Sequence, residues 1–77
     1  MTIQELRNHK EYAICFKKIK AYPQGFEFTL NWDQIPRAKA NALKIIMSDA
    51  IEQGYLEPTA TTLALDGTAT ADTYRKL

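Results

Sequence analysis

The chain has little of what chemistry or covalent stapling requires. Its 77 residues hold one cysteine (Cys15), one histidine (His9), one serine (Ser48), three glycines and three prolines. A single thiol cannot close an internal disulfide. One cysteine with one histidine falls short of the ligand set of a structural zinc site. So few glycines leave no phosphate-cradling loop. The acidic residues Asp33, Asp49, Glu52, Asp66 and Asp72 lack calcium-loop spacing, and Asp66-Gly67 reads as a turn. Aliphatic runs such as Ile45-Ile46-Met47 are far too short for a membrane span. There is no excess of one charge either, since the net charge is +1. That balance excludes a densely acidic mimic of nucleic acid and neither requires nor forbids a nucleic-acid partner.

What remains is an ordinary globular composition, 45% apolar and 25% charged, in a length that suits one domain over residues 1–77. A core of this size typically yields only roughly 3–5 kcal/mol of net stability. With no staple at hand, tight packing or association with another chain is expected. The opening residues lack a basic stretch followed by an apolar one, and the lone thiol suits a reducing compartment, so a cytoplasmic location is expected.

The clearest local signal lies in residues 26–56. Phe26, Phe28, Leu30 and Trp32 alternate with Glu27, Thr29, Asn31 and Asp33, the pattern of a half-buried strand. Trp32 should close that apolar face and be buried. A strand with one polar face belongs to an antiparallel or mixed sheet. A helix follows, capped by Asp33 or Ile35, with Pro36 in its first turn and Gly54 as its left-handed stop. Ala42, Leu43, Ile46, Met47, Ala50 and Ile51 form its apolar face, and Arg37, Asn41, Lys44, Ser48 and Glu52 a regular polar stripe. Ile45 breaks this regularity by projecting beside Asn41 and Glu52. Either another helix covers it or it touches a partner.

Thr2 with Glu5 fits a capping box at the start of a first helix. Tyr12, Cys15, Phe16, Ile19 and Tyr22 share one helical stripe. Ile3 and Leu6 do not share it, so a break is expected near Asn8–Lys10. Residues 11–21 could instead pair with 26–32 as a hairpin arm, but Phe16 and Ile19 would then face opposite sides, which favours helix. After Pro58, residues 61–65 read as a second strand. Residues 70–77 read as a last helix, with Thr70 or Asp72 at its cap and Tyr74 and Leu77 on its apolar face. The rival is a hairpin around Asp66-Gly67 joining 61–65 to 68–71. The expected architecture is therefore α+β in the order α-β-α-β-α, a central helix on a small two- or three-stranded sheet.

No residue set points to catalysis. His9 stands at a helix end with no evident nucleophile or carboxylate partner, Ser48 lies on a solvated stripe, and Cys15 lies on an apolar one. The chain is expected not to be an enzyme and to use no cofactor or metal. Two binding readings remain. In the first, Ile45 with Asn41 and Glu52 marks a protein-binding surface, for a second copy or a different protein. In the second, the basic residues Arg7, Lys10, Lys17, Lys18 and Lys20, interleaved with Tyr12, Phe16 and Tyr22, bind nucleic acid through phosphates and base stacking. A helix ending in Gly54-Tyr-Leu-Glu-Pro before strand and turn also occurs in winged-helix domains. The apolar character of that helix, however, suits a core element better than a recognition helix.

The stretch Gly25-Phe-Glu-Phe-Thr-Leu-Asn-Trp-Asp-Gln-Ile-Pro-Arg-Ala-Lys-Ala-Asn-Ala-Leu-Lys, together with Glu52-Gln-Gly-Tyr-Leu-Glu, resembles short accessory proteins of bacterial phages and mobile elements. The resemblance covers about a third of the chain and carries no motif with a chemical role. It implies an interaction protein that binds and modulates a host protein, such as a defence or regulatory protein. Anti-CRISPR inhibitors are one group of that kind.

Overall fold

The computed structural model describes residues 2–77. The elements run α1 (Ile3–Arg7), α2 (Lys10–Ala21), β1 (Glu27–Asn31), a one-turn 3-10 helix (Trp32–Gln34), α3 (Arg37–Glu52), β2 (Leu56–Leu63) and β3 (Ala69–Lys76). The sheet is antiparallel in the order β1-β3-β2. The helices cover one face of it. The molecule measures 36 × 32 × 19 Å, the short dimension being the thickness of one helical and one sheet layer.

The α+β class holds, with one correction at the C-terminus. Residues 70–77 are not a helix. Residues 70–76 belong to β3, the central strand. The rival hairpin around Asp66-Gly67 is what forms, with longer arms than expected, Leu56–Leu63 in place of 61–65 and Ala69–Lys76 in place of 68–71. Two features drive this. Asp66 Oδ1 accepts the Thr68 backbone N–H at 2.9 Å, and Gly67 adopts φ +86°, which sets a tight turn. The strand that follows pairs on both sides, to β1 through Phe28↔Tyr74 and Leu30↔Asp72, and to β2 through Thr61↔Asp72. Thr70 and Asp72 cap nothing. Thr70 Oγ1 donates to the Thr62 carbonyl at 3.2 Å, and Asp72 accepts from both Trp32 Nε1 (2.8 Å) and Thr61 Oγ1 (2.7 Å). Leu77 is 47% exposed rather than apolar cover.

The first helical region breaks where Ile3 and Leu6 lose phase with the later stripe. Thr2 caps α1 by accepting the Glu5 N–H, and His9 caps α2 by accepting the Glu11 N–H on Nδ1. β1 shows the expected alternation, with Phe28 and Leu30 half-buried between exposed neighbours. Its ends differ from expectation. Phe26 is 41% exposed and lies against the Tyr22 ring at 4.7 Å. Trp32 is buried, but from the 3-10 turn. Neither Asp33 nor Ile35 caps α3, where Pro36 holds the N-cap position without a side-chain bond. Gly54 does stop α3. Its N–H reaches the Ile51 carbonyl (3.0 Å) and the Tyr55 N–H reaches that of Ala50 (2.9 Å), the paired bonds of a Schellman turn.

The core joins Phe16 and Ile19 of α2, Ile46, Met47 and Ala50 of α3, Leu56 of β2 and Tyr74 of β3. Aromatic contacts extend it: Phe16 stacks on Tyr12 at 5.6 Å and meets Tyr55 edge-on at 5.7 Å.

Candidate functional site

α1 is too short to stand alone, and two anchors fix it. Leu6 is buried, and Arg7 reaches α3. There Asp49 is only 5% exposed. Arg7 donates to it twice, Nη2 to Oδ1 at 2.8 Å and Nε to Oδ2 at 3.0 Å, while the Tyr12 hydroxyl donates to Oδ2 at 2.7 Å. The Arg7 guanidinium holds the Asp49 carboxyl below the usual carboxylate range, against the opposing effect of burial, and the Tyr12 hydroxyl adds to the lowering. Arg7 is raised by the same bonds, and Tyr12 is raised by burial and then by its bond to Asp49. One carboxylate thus ties α1, α2 and α3 together.

Anchored this way, α1 and α2 flank α3 without filling the space between them. An open groove of about 560 Å³ results, with Leu6 of α1, Tyr12 and Cys15 of α2, and Ala42, Leu43 and Ile46 of α3 among its lining residues. His9, Glu11 and Lys39 supply its polar positions. Beside it lies a smaller cleft of about 220 Å³, lined by Thr2, Leu6, Ala38, Asn41, Ala42 and Ile45. Both depressions border Leu6, Ala38 and Ala42, so they adjoin as a two-part trough along α3.

This locates the residues singled out from sequence. Ile45 is half-buried in the smaller cleft, partly covered from the α1 side by Thr2 and Leu6. Asn41 lines the same cleft. Glu52 does not join them. It borders a separate depression with Arg7, Tyr12, Asp49 and Gln53. The polar stripe of α3 is exposed at Arg37, Asn41, Lys44, Ser48 and Glu52. Missing from the sequence-based expectations was Asp49, which lies on the apolar side of its helix. The only sequence signal for it was an acid one residue from Ala50, in phase with the buried Ile46 and Leu43.

The basic region divides. Lys10, Lys17, Lys18 and Lys20 are all exposed. Lys17 and Lys20 rim a shallow basin with Arg7, over Tyr12 and Phe16, while Lys10 and Lys18 stand outside it. The Lys20 ammonium lies 5.2 Å from the ring centres of both Phe16 and Tyr55. Arg7 is already engaged by Asp49.

Among the described residues no cluster of acidic, histidine or cysteine side chains could hold a metal ion, and no helix is long and apolar enough to cross a membrane. His9 spends Nδ1 on the α2 cap. Comparison with protein-family models, with curated proteins and with solved structures finds no match.

Proposed function

We propose that this chain is a non-enzymatic protein-interaction module, of the kind phages and mobile elements use to bind and modulate a host protein in the cytoplasm. The observation that carries the reading is the pair of adjoining depressions along α3, which both border Leu6, Ala38 and Ala42. Concave apolar surface with a few polar positions is where small proteins seat the anchoring side chains of a partner. The polar positions at His9, Glu11, Lys39 and Asn41 would fix orientation. An inhibitor acting on a host defence protein, including an anti-CRISPR inhibitor, is one form of this function.

Ala42→Arg tests it. Residue 42 lies in both depressions and is only half-buried, so a long cation there fills the trough and leaves the core in place. Host proteins captured from nuclease-treated lysate by the native chain should be lost with the variant, while circular dichroism and the tryptophan emission stay unchanged. Equal capture by both chains counts against the trough.

Nucleic-acid binding is the second reading, supported by the arrangement of Lys17, Lys20 and Arg7 around an aromatic-floored basin. It is the weaker of the two because Arg7 is neutralised by Asp49.

A further inference from the structure

The trough leaves the other end of the molecule without a role. In the sheet, β2 is an edge strand of eight residues, paired to β3 on one side and, among the described residues, to nothing on the other. Beyond its first two residues it is exposed throughout, and so is the turn that follows. Leu63 is 60% exposed and Leu65 fully exposed. An open row of strand N–H and C=O groups is a template for another strand. Proteins usually blunt such edges with lysine, proline, bulges or cover. Here the guard is partial. Pro58 and the irregularities between Pro58 and Ala60 and between Thr62 and Leu63 interrupt the strand towards its two ends and leave Ala60–Thr62 in regular register between them. From Pro58 to Leu65 the sequence Pro-Thr-Ala-Thr-Thr-Leu-Ala-Leu holds no charge at all.

We propose that the outer edge of β2 pairs antiparallel with β2 of a second copy of this chain, making one continuous six-stranded sheet. Three observations select this occupant. The uncharged stretch can face itself, because a two-fold axis sets each residue against the same eight and no like charges meet. A charged foreign strand would find no complementary charge there. The opposite edge offers no equal alternative, since β1 is five residues long and starts on Glu27. Finally, antiparallel pairing in one sheet places the axis perpendicular to it. Both helical layers then stay on the same face of the combined sheet.

The test uses charge on the pairing edge. Ala60 and Thr62 are exposed, and neither side chain makes a hydrogen bond in the fold. The native chain should show twice the monomer mass by light scattering at high concentration and fall to monomer on dilution. Ala60→Lys with Thr62→Lys should be monomeric throughout, and so should Ala60→Glu with Thr62→Glu. Mixing the two variants should restore the doubled mass. Amide exchange in residues 59–63 of the native chain should slow on concentration, a readout that needs no variant to fold. A native chain that stays monomeric at all concentrations overturns the proposal. So does a lysine variant that associates as well as the native chain, or association that leaves those amides unprotected.

Discussion

Asp49 shows how a single side chain can organise an element that has little else to hold it. Its lowered pKa fixes the sign of its contribution. The ionised carboxylate is favoured in the folded chain, so the stabilisation is complete above the ordinary aspartate value of about 3.9 and is lost as pH falls through the lower folded value. Acid unfolding should therefore begin below about pH 4, and Asp49→Asn should flatten that acid limb. At neutral pH, replacing one acceptor oxygen by an NH2 donor and removing the charge that faces the guanidinium should cost about 1–3 kcal/mol in a denaturant titration. Tyr74 works in the opposite direction. Burial, aided by the nearby Asp72 charge, pushes its phenol up to about 12. A raised value means the contribution is intact below the unfolded value of about 10 and is lost as pH climbs towards 12. Tyr74→Phe should extend the alkaline stability limit, read as the pH midpoint of unfolding by circular dichroism.

Elements were legible in the sequence in proportion to how local their causes are. The ends of α1 and the start of α2 followed from Thr2, the phase change after Leu6 and the stripe from Tyr12 to Tyr22. The exit from α3 followed from Gly54. Its φ of +83° is strained for any residue with a side chain, although an added Cβ would meet nothing within 4 Å. Gly54→Ala should thus cost only the backbone term, about 1–2 kcal/mol, seen as a lowered midpoint of thermal unfolding with an unchanged fold. The C-terminal segment was harder. Tyr74 and Leu77 are spaced for a helix, while Thr70 and Thr73 suit a strand. The choice depended on β1 and β2 offering a partner on each side, which no window of sequence contains. The same holds for the site. Ile45 stood out because it broke a stripe, and it does line a cleft. The trough itself arises from the placement of α1, and that placement rests on a bond between residues 7 and 49 that no spacing rule could reveal.

At the scale of the whole molecule, charge is uneven along the chain. Residues 1–44 carry eight basic and four acidic side chains, and residues 45–77 two and five. The exposed lysines of α2 concentrate the positive part on the helical layer. If that face held nucleic acid, affinity would fall steeply with salt, and each lost phosphate contact would lower the salt slope by about one. Lys17→Gln with Lys20→Gln should then reduce both retention and salt slope on a nucleic-acid column without altering the fold. Retention that is absent at low salt in the native chain removes the second functional reading. The protein-binding reading, in contrast, expects little salt dependence in capture by the trough, because its floor is apolar.

The strand order has a consequence for synthesis. β3 lies between β1 and β2, yet the ribosome makes it after both. Neither of the earlier strands can pair with its neighbour until residues 69–76 are free to fold. Until then Phe28, Leu30 and Leu56 have no sheet to place them in, and α3 has only α1 and α2 to pack on. Assembly of the sheet therefore waits on the last strand in the sequence. Any chain whose β3 has not yet docked leaves the neutral stretch from Pro58 to Leu65 unpaired on both sides.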